Sequence, residues 1–291
     1  MISKKELESE IINLEGLNGM VQAYEEIAAT RIMHSREKVL TNRNFVEEIG
    51  KIFTIVVASY KKQIDTLMKK EKANQLKDIS FIHKNNKTLY LLISANTGLY
   101  GNLVRKTFDL FIENSKKSNT DIAIIGKVGL GMWKQEKLNR NYYYFDFPDQ
   151  SVNENQLNTI LDFIISYEKI VIFYGKFQNL VTQNATYADI SGNTYQTSQE
   201  SEINVKYLFE PSFEKILEFF EKQIFASIFE QTMRESQLAK IASRLTSLDT
   251  ASDNIIKELE KVINQKNITT HRHANKKQLE TFSSRVLWGK L

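Results

Sequence analysis

The sequence predicts a Rossmann-like α/β domain inserted between long N- and C-terminal helices that pair as an antiparallel coiled coil. Three observations predict it. First, there are only 2 Pro and 11 Gly in 291 residues, and neither occurs between Pro211 and Gly289. Proline's fixed φ suits a first helical turn, so a helix is expected to begin at Pro211. Second, positions 241, 245, 248, 252, 255, 259 and 262 read Ile, Leu, Leu, Ser, Ile, Leu and Val, alternating steps of four and three. That is the seam of a coiled coil. Third, the middle of the chain alternates strand and helix, the pattern of a parallel sheet. A straight helix of ~75 residues is on the order of 110 Å long, so its seam needs a partner. The other end of the chain offers one. A compact insert joins the end of one helix to the start of the other, so they run antiparallel.

The expected segments are 1–72, a coiled-coil helix, 73–206, the α/β domain, and 207–291, the second coiled-coil helix. Residues 3–70 read as one or two long helices. Apolar residues fall at Leu7, Ile11, Leu14, Leu17, Val21, Tyr24, Ala28 and Ile32, then Val39, Val46, Ile49, Phe53 and Val56, close to a 3.6 period. Gly16 and Gly19 are expected to be soft spots or points of close helix approach. Lys69-Lys70-Glu71-Lys72 breaks the pattern as a solvated connection. Thr88-Leu89-Tyr90-Leu91-Leu92-Ile93-Ser94 is nearly continuously apolar, as in a strand buried on both faces. A turn over 95–102, a helix over 104–114, a strand over 121–126, a helix over 157–167 and a strand over 169–174 follow. Residues 179–196 read as an extended segment with a loop, marked by Ser191-Gly192-Asn193.

Composition narrows the classes. The 39 Lys+Arg against 35 Asp+Glu leave +4, a mild charge that does not indicate nucleic acid. No cysteine is present, which excludes disulfides, thiolate catalysis and Cys-based metal sites and fits a reducing cytosol. No apolar run approaches ~18 residues, so no membrane span is expected. The charged start of the chain has no signal-peptide apolar region.

Constellations for chemistry are sparse. Gly98 and Gly101 follow a buried strand where a phosphate-binding turn would sit. The third glycine of the dinucleotide fingerprint and the Lys-Ser/Thr of a P-loop are both missing, so a tight strand–helix turn is expected. His271 and His273 would point about 200° apart on a helix, which suits solvent rather than a metal. No nucleophile–base signature is visible, so no catalytic, cofactor or metal site is expected on this chain. Arg244, Asp253 and Asn254 lie off the seam, where a solvated face is the default. The tail Phe282-Ser283-Ser284-Arg285-Val286-Leu287-Trp288-Gly289-Lys290-Leu291 is apolar, which suggests an apolar socket.

Five segments, in order, resemble the gamma subunit of F-type ATP synthases. Ala28-Ala29-Thr30-Arg31-Ile32 is similar to that family's A-A-S-K-M on the N-terminal shaft helix. Ser94-Ala95-Asn96-Thr97-Gly98-Leu99-Tyr100-Gly101 is similar to its T-S-D-R-G-L-C-G turn, and Tyr174-Gly175-Lys176-Phe177 to its Y-N-x-F. Tyr207-Leu208-Phe209-Glu210-Pro211-Ser212 is similar to Y-x-F-E-P-S, and Glu235-Ser236 with Arg244–Asn254 to E-S…R-M-x-A-M-x-x-A-T-D-N-A. The sequence departs from the family at Asn96-Thr97 for D-R, at Gln22 for a common lysine, at Lys240 for a glutamate, and in the late N-x-x-R-Q segment.

The resemblance implies a rotor shaft inside a ring of alternating alpha and beta subunits, with ATP and Mg²⁺ bound by the ring. It implies an epsilon subunit and a membrane rotor ring beside the α/β domain, and a peripheral place on the cytoplasmic face of the cell membrane. Arg31, Arg244, Asp253 and Asn254 on the shaft and Val286, Leu287, Trp288 and Leu291 at the tip are the implied partner contacts. A gamma-like shaft of an F-like motor driving other machinery, such as cell gliding, and a coiled-coil scaffold without rotation are the alternative readings.

Overall fold

The computed structural model describes residues 3–59, 84–116, 120–138, 140–149, 153–190 and 213–288. The boundaries expected near 72 and 207, the connection at 69–72, the turn at 191–193, Pro211 and Leu291 lie outside these residues. So do the side chains of Val286, Leu287 and Trp288. The elements run α1 (Lys4–Ser59), β1 (Thr88–Ile93), α2 (Leu103–Lys116), β2 (Asp121–Ile125), α3 (Lys127–Gln135), β3 (Tyr143–Phe145), α4 (Glu154–Ile164), β4 (Lys169–Phe177), β5 (Gln183–Asp189) and α5 (Phe213–Trp288). Two compact units form, Arg31–Arg244 and Met1–Thr30 with Leu245–Leu291.

In the unit Arg31–Arg244, five strands form one sheet in the order β3-β2-β1-β4-β5. β1 pairs parallel with β2 and with β4, β2 pairs parallel with β3, and β5 closes the edge antiparallel to β4. The three apolar runs read as strands are β1, β2 and β4. β3 and the helix α3 were not expected, because three-residue β3 carries too little pattern to register. Alternation sorts the core. Leu89, Leu91, Ile93, Ile170, Ile172 and Tyr174 face α4 and the segment of α5 holding Phe225, Phe229 and Met233. Leu92, Ile122, Ile124, Val171 and Phe173 face Phe108 and Phe111 of α2 and Trp133 of α3. Burying both faces explains why these strands are continuously apolar. α4 begins one turn before the expected residue 157, because the Asn153 side chain accepts from the Asn155 and Gln156 N–H groups and caps it.

Within this unit α1 also runs antiparallel to α5, with Arg43 paired to Glu235 and the Phe53 and Phe220 ring centroids 6.2 Å apart. α1 is one helix as far as Ser59.

In the unit of residues 1–30 and 245–291, Ser252 Oγ donates to Asn18 Oδ1 at 3.1 Å, and Lys266 Nζ lies 3.4 Å from Glu8 Oε1. Numbers that fall along one helix as they rise along the other make the pair antiparallel. The α5 seam positions Leu248, Ser252 and Val262 are buried, and Leu245, Ile255 and Leu259 half-buried, as the heptad predicts. The α1 seam differs from the 3.6-period reading. Leu17 and Tyr24 are 48% and 52% exposed. Asn18 and Glu25 take their places, giving 7, 11, 14, 18, 21, 25, 28. A supercoiled pair keeps strict four-three steps, and that phase overrides side-chain polarity at two positions.

Gly16 and Gly19 are not points of close approach, since a Cβ built on either meets nothing within 4 Å. Gly16→Ala and Gly19→Ala should therefore each stabilise the chain by up to ~1 kcal/mol, read as a raised urea midpoint. Glu25 has the opposite problem. Partial burial, then the carboxylates of Asp249 and Asp253, raise its pKa above the ordinary value of 4.5. A raised carboxyl pKa means the folded form holds the proton better. Stability should therefore grow as the pH falls through the raised value, and the charge should cost stability at neutral pH. Glu25→Gln should raise the thermal midpoint at neutral pH, by a free energy on the order of 0.5 kcal/mol typical of like-charge pairs, and lose that advantage in acid.

Candidate functional site

In open parallel sheets, ligands bind outside the carboxyl ends of the strands, where the strand order reverses. Here that point is the carboxyl end of β1, whose neighbours β2 and β4 lead in opposite directions. The turn after β1 carries positive φ at Leu99 (68°) and Gly101 (51°) and aims the Asn96 and Thr97 N–H groups at one point. That point is occupied by a carboxylate of the chain itself. Asp149 Oδ2 accepts from Asn96 N at 2.8 Å, Thr97 N at 2.9 Å and Thr97 Oγ1 at 3.1 Å.

The helix α5 closes the crevice from the other side. Lys240 Nζ donates to Asp149 Oδ1 at 3.0 Å and to the Ser94 carbonyl at 2.9 Å. Asp149 is 6% exposed and Lys240 5%. Burial pushes the Asp149 carboxyl up, but the Lys240 ammonium and the two N–H groups outweigh it and hold its pKa below the ordinary 3.8. Burial, opposed by Asp149 and reinforced by Arg244, lowers that of Lys240. The pair is an ion pair, because the ammonium meets two oxygen acceptors and the carboxylate four donors.

Neighbouring α5 residues grip the same turn. Ser243 Oγ donates to the Tyr100 carbonyl at 2.8 Å. Arg244 Nη2 donates to the Gly98 carbonyl at 2.7 Å and to Thr97 Oγ1 at 3.1 Å, with its guanidinium carbon 4.2 Å from the Tyr100 ring centre. Gln237 Nε2 donates to the Pro148 carbonyl at 3.3 Å. Glu235, paired with Arg43 of α1, lies near Tyr174, whose hydroxyl is pushed up to about 12 by burial and by that carboxylate. Every residue from Glu235 to Ser243 is buried. On the sheet side, Asn96 donates to Asp146 Oδ1 and the Phe147 carbonyl and accepts the Lys127 N–H that opens α3.

Of the residues singled out in sequence, the fold brings Gly98, Gly101 and Arg244 together. Arg244, expected on a solvated face, is half-buried and engaged by the turn. Arg31 is half-buried on α1, and Asp253 and Asn254 are exposed on α5. His271 and His273 are exposed, and no metal-binding group of three or more His, Cys, Asp or Glu occurs among the described residues. No described helix is long and apolar enough to cross a membrane. Sequence reasoning missed Asp149, Gln237 and Ser243. Lys240 stood out only as a departure from the family glutamate.

Fold and site define a class: an α/β domain carried between two long helices, with the crevice where such sheets take ligands filled by its own Asp149 and Lys240. Residues 3–272 match the family model described as ATP synthase. The chain belongs to the ATP synthase gamma-chain family. It is 27% identical over 258 residues to the ATP synthase gamma chain of Mycoplasma capricolum, covering 85% of each chain. It is 21% identical over 266 residues to that of Halothermothrix orenii, covering 87% of this chain and 88% of that one. Among solved structures it shares the fold of a chain in the central stalk/c-ring of Tetrahymena thermophila mitochondrial ATP synthase. The TM-score is 0.54 at 16% identity, covering 80% of this chain and 99% of that one. A chain of the Euglena gracilis mitochondrial ATP synthase matches with TM-score 0.54 at 14% identity, covering 89% and 94%.

Proposed function

We propose that this chain is the central rotor shaft of an F-type ATP synthase, coupling rotation inside a ring of alternating alpha and beta subunits to ATP synthesis or hydrolysis. The observation that carries the reading is family membership across residues 3–272. ATP and Mg²⁺ are held by the ring subunits. The chain's own part is mechanical: a shaft with different side chains around its circumference favours a different conformation in each beta subunit. The linkage between rotation and nucleotide state then works in both directions. An epsilon subunit and a membrane rotor ring sit beside the α/β domain, and the assembly lies on the cytoplasmic face of the membrane. Neither a specialised motor driving gliding nor a static scaffold finds support in the comparisons.

The test is mild isolation of the chain from its native cell. An alpha–beta ring with epsilon and membrane rotor subunits is the expected company, and absence of any ring overturns the reading. Deleting residues 285–291 is expected to weaken ring assembly or raise uncoupled hydrolysis with the sheet still folded. An unchanged complex with unchanged turnover shows that the tail occupies no socket in the ring.

A further inference from the structure

We propose that Lys240 and Asp149, with Arg244 beside them, form a charge lock that transmits torque between α5 and the sheet; this rests on the shaft reading above. Earlier along α5, at Phe225, Phe229 and Met233, its footing on the sheet is apolar. Apolar contact is non-directional and opposes separation better than it opposes turning. Hydrogen bonds fix direction. They are concentrated at Gln237, Lys240, Ser243 and Arg244, which share one face of the helix. Each side chain reaches outward from the helix axis, so each bond acts on a lever arm of about 5 Å or more. The bonds also converge on one rigid target. Asn96, which lies between Ser94 and Thr97, ties the gripped turn to the start of α3 and to the segment after β3.

The lock has a polarity. The Asn96 and Thr97 N–H groups donate to Asp149 Oδ2 and so require an acceptor, never an ammonium, at position 149. A plain ion pair would work with its charges exchanged, whereas this one would set an ammonium against two donors. The turn at the carboxyl end of β1, where open parallel sheets take ligands, holds the chain's own carboxylate and serves here as a mechanical anchor.

Rotation under load tests this directly. The chain has no cysteine, so Asn184→Cys on the exposed side of β5 gives a unique attachment point for a bead in an otherwise cysteine-free complex. With the ring immobilised and ATP supplied, Lys240→Met should about double the angular spread at each dwell and slow loaded rotation at least about threefold, because the two buried bonds of Lys240 to Asp149 and the Ser94 carbonyl are gone. ATP hydrolysis without load should be unchanged. Lys240→Arg should restore most of the stiffness, and Lys240→Asp with Asp149→Lys should not. Arg244→Gln, at the half-buried edge of the lock, should loosen the dwells in the same direction by a smaller factor. If Lys240→Met prevents assembly, Arg244→Gln alone decides the matter. Unchanged dwell widths in either assembled variant, or full rescue by the exchanged pair, overturn the lock while leaving the shaft intact. A complex whose ring turns over ATP without moving the bead on the unmutated chain removes shaft and lock together.

Discussion

Lys240→Ala lowers the stability of the chain by about 3–5 kcal/mol, the expected cost of removing one member of a buried ion pair. The cost arises because Asp149, 6% exposed, keeps its charge in a site closed to water. The Ser94 carbonyl loses its donor at the same time. In many proteins a buried ion pair can be replaced by two apolar residues without loss. Here that replacement should still cost about 1–3 kcal/mol, because the Asn96 and Thr97 N–H groups would be left without an acceptor. The exchange Lys240→Met with Asp149→Leu should therefore fall between wild type and Lys240→Ala in urea midpoint. Recovery to the wild-type midpoint would show that the N–H groups do not depend on the carboxylate. The pH dependence has a definite sign. The folded pKa of Asp149 lies below its ordinary 3.8, so its stabilisation is present above that value and is lost as the pH falls through the folded pKa. Asp149→Asn should flatten this acid limb.

Gly126→Ala is the second large effect, a loss of about 3 kcal/mol from backbone strain and crowding together. Gly126 sits at the end of β2 with φ of 98°, a conformation that L side chains rarely adopt. An added Cβ would lie 2.8 Å from the Ala95 nitrogen and oxygen and 2.9 Å from its carbonyl carbon, where no flexible side chain can yield. Ala95 belongs to the gripped turn, and its carbonyl accepts the Val128 N–H at 2.8 Å. The strain should therefore reach both the start of α3 and the lock. A lowered urea midpoint, with a shift in the fluorescence of Trp133, which is buried on α3, is the expected signature. A midpoint within a few tenths of a kcal/mol of wild type would show that the two turns are free to part.

The long helices, the three core strands and the antiparallel pairing were legible because each rests on a repeat. Four-three steps, a scarcity of Gly and Pro, and continuous apolar runs all report burial along a single element. Position 18 shows the limit of that logic. Leu17 fits an apolar stripe better than Asn18, yet Asn18 lies inward because the partner helix presents Ser252 there. The phase of a seam is set by two helices, and one sequence segment cannot show it.

The site was less legible for a related reason. Glu235, Ser236, Gln237, Lys240 and Ser243 are polar residues on a long helix with nothing local to mark them as interior, and all five are buried. Burying a polar group is costly without a partner, and the partners of Glu235, Gln237, Lys240 and Ser243 are Arg43, Pro148, Asp149, Ser94 and Tyr100, 89 to 192 residues away in sequence. By itself the sequence determined the class of fold, the two helices and the family, because periodicity and motif order are local or collinear properties. Only the tertiary structure decided that the ligand crevice is filled by Asp149 and Lys240. A buried charge is tolerated only beside its counter-charge, and that neighbour is supplied by folding.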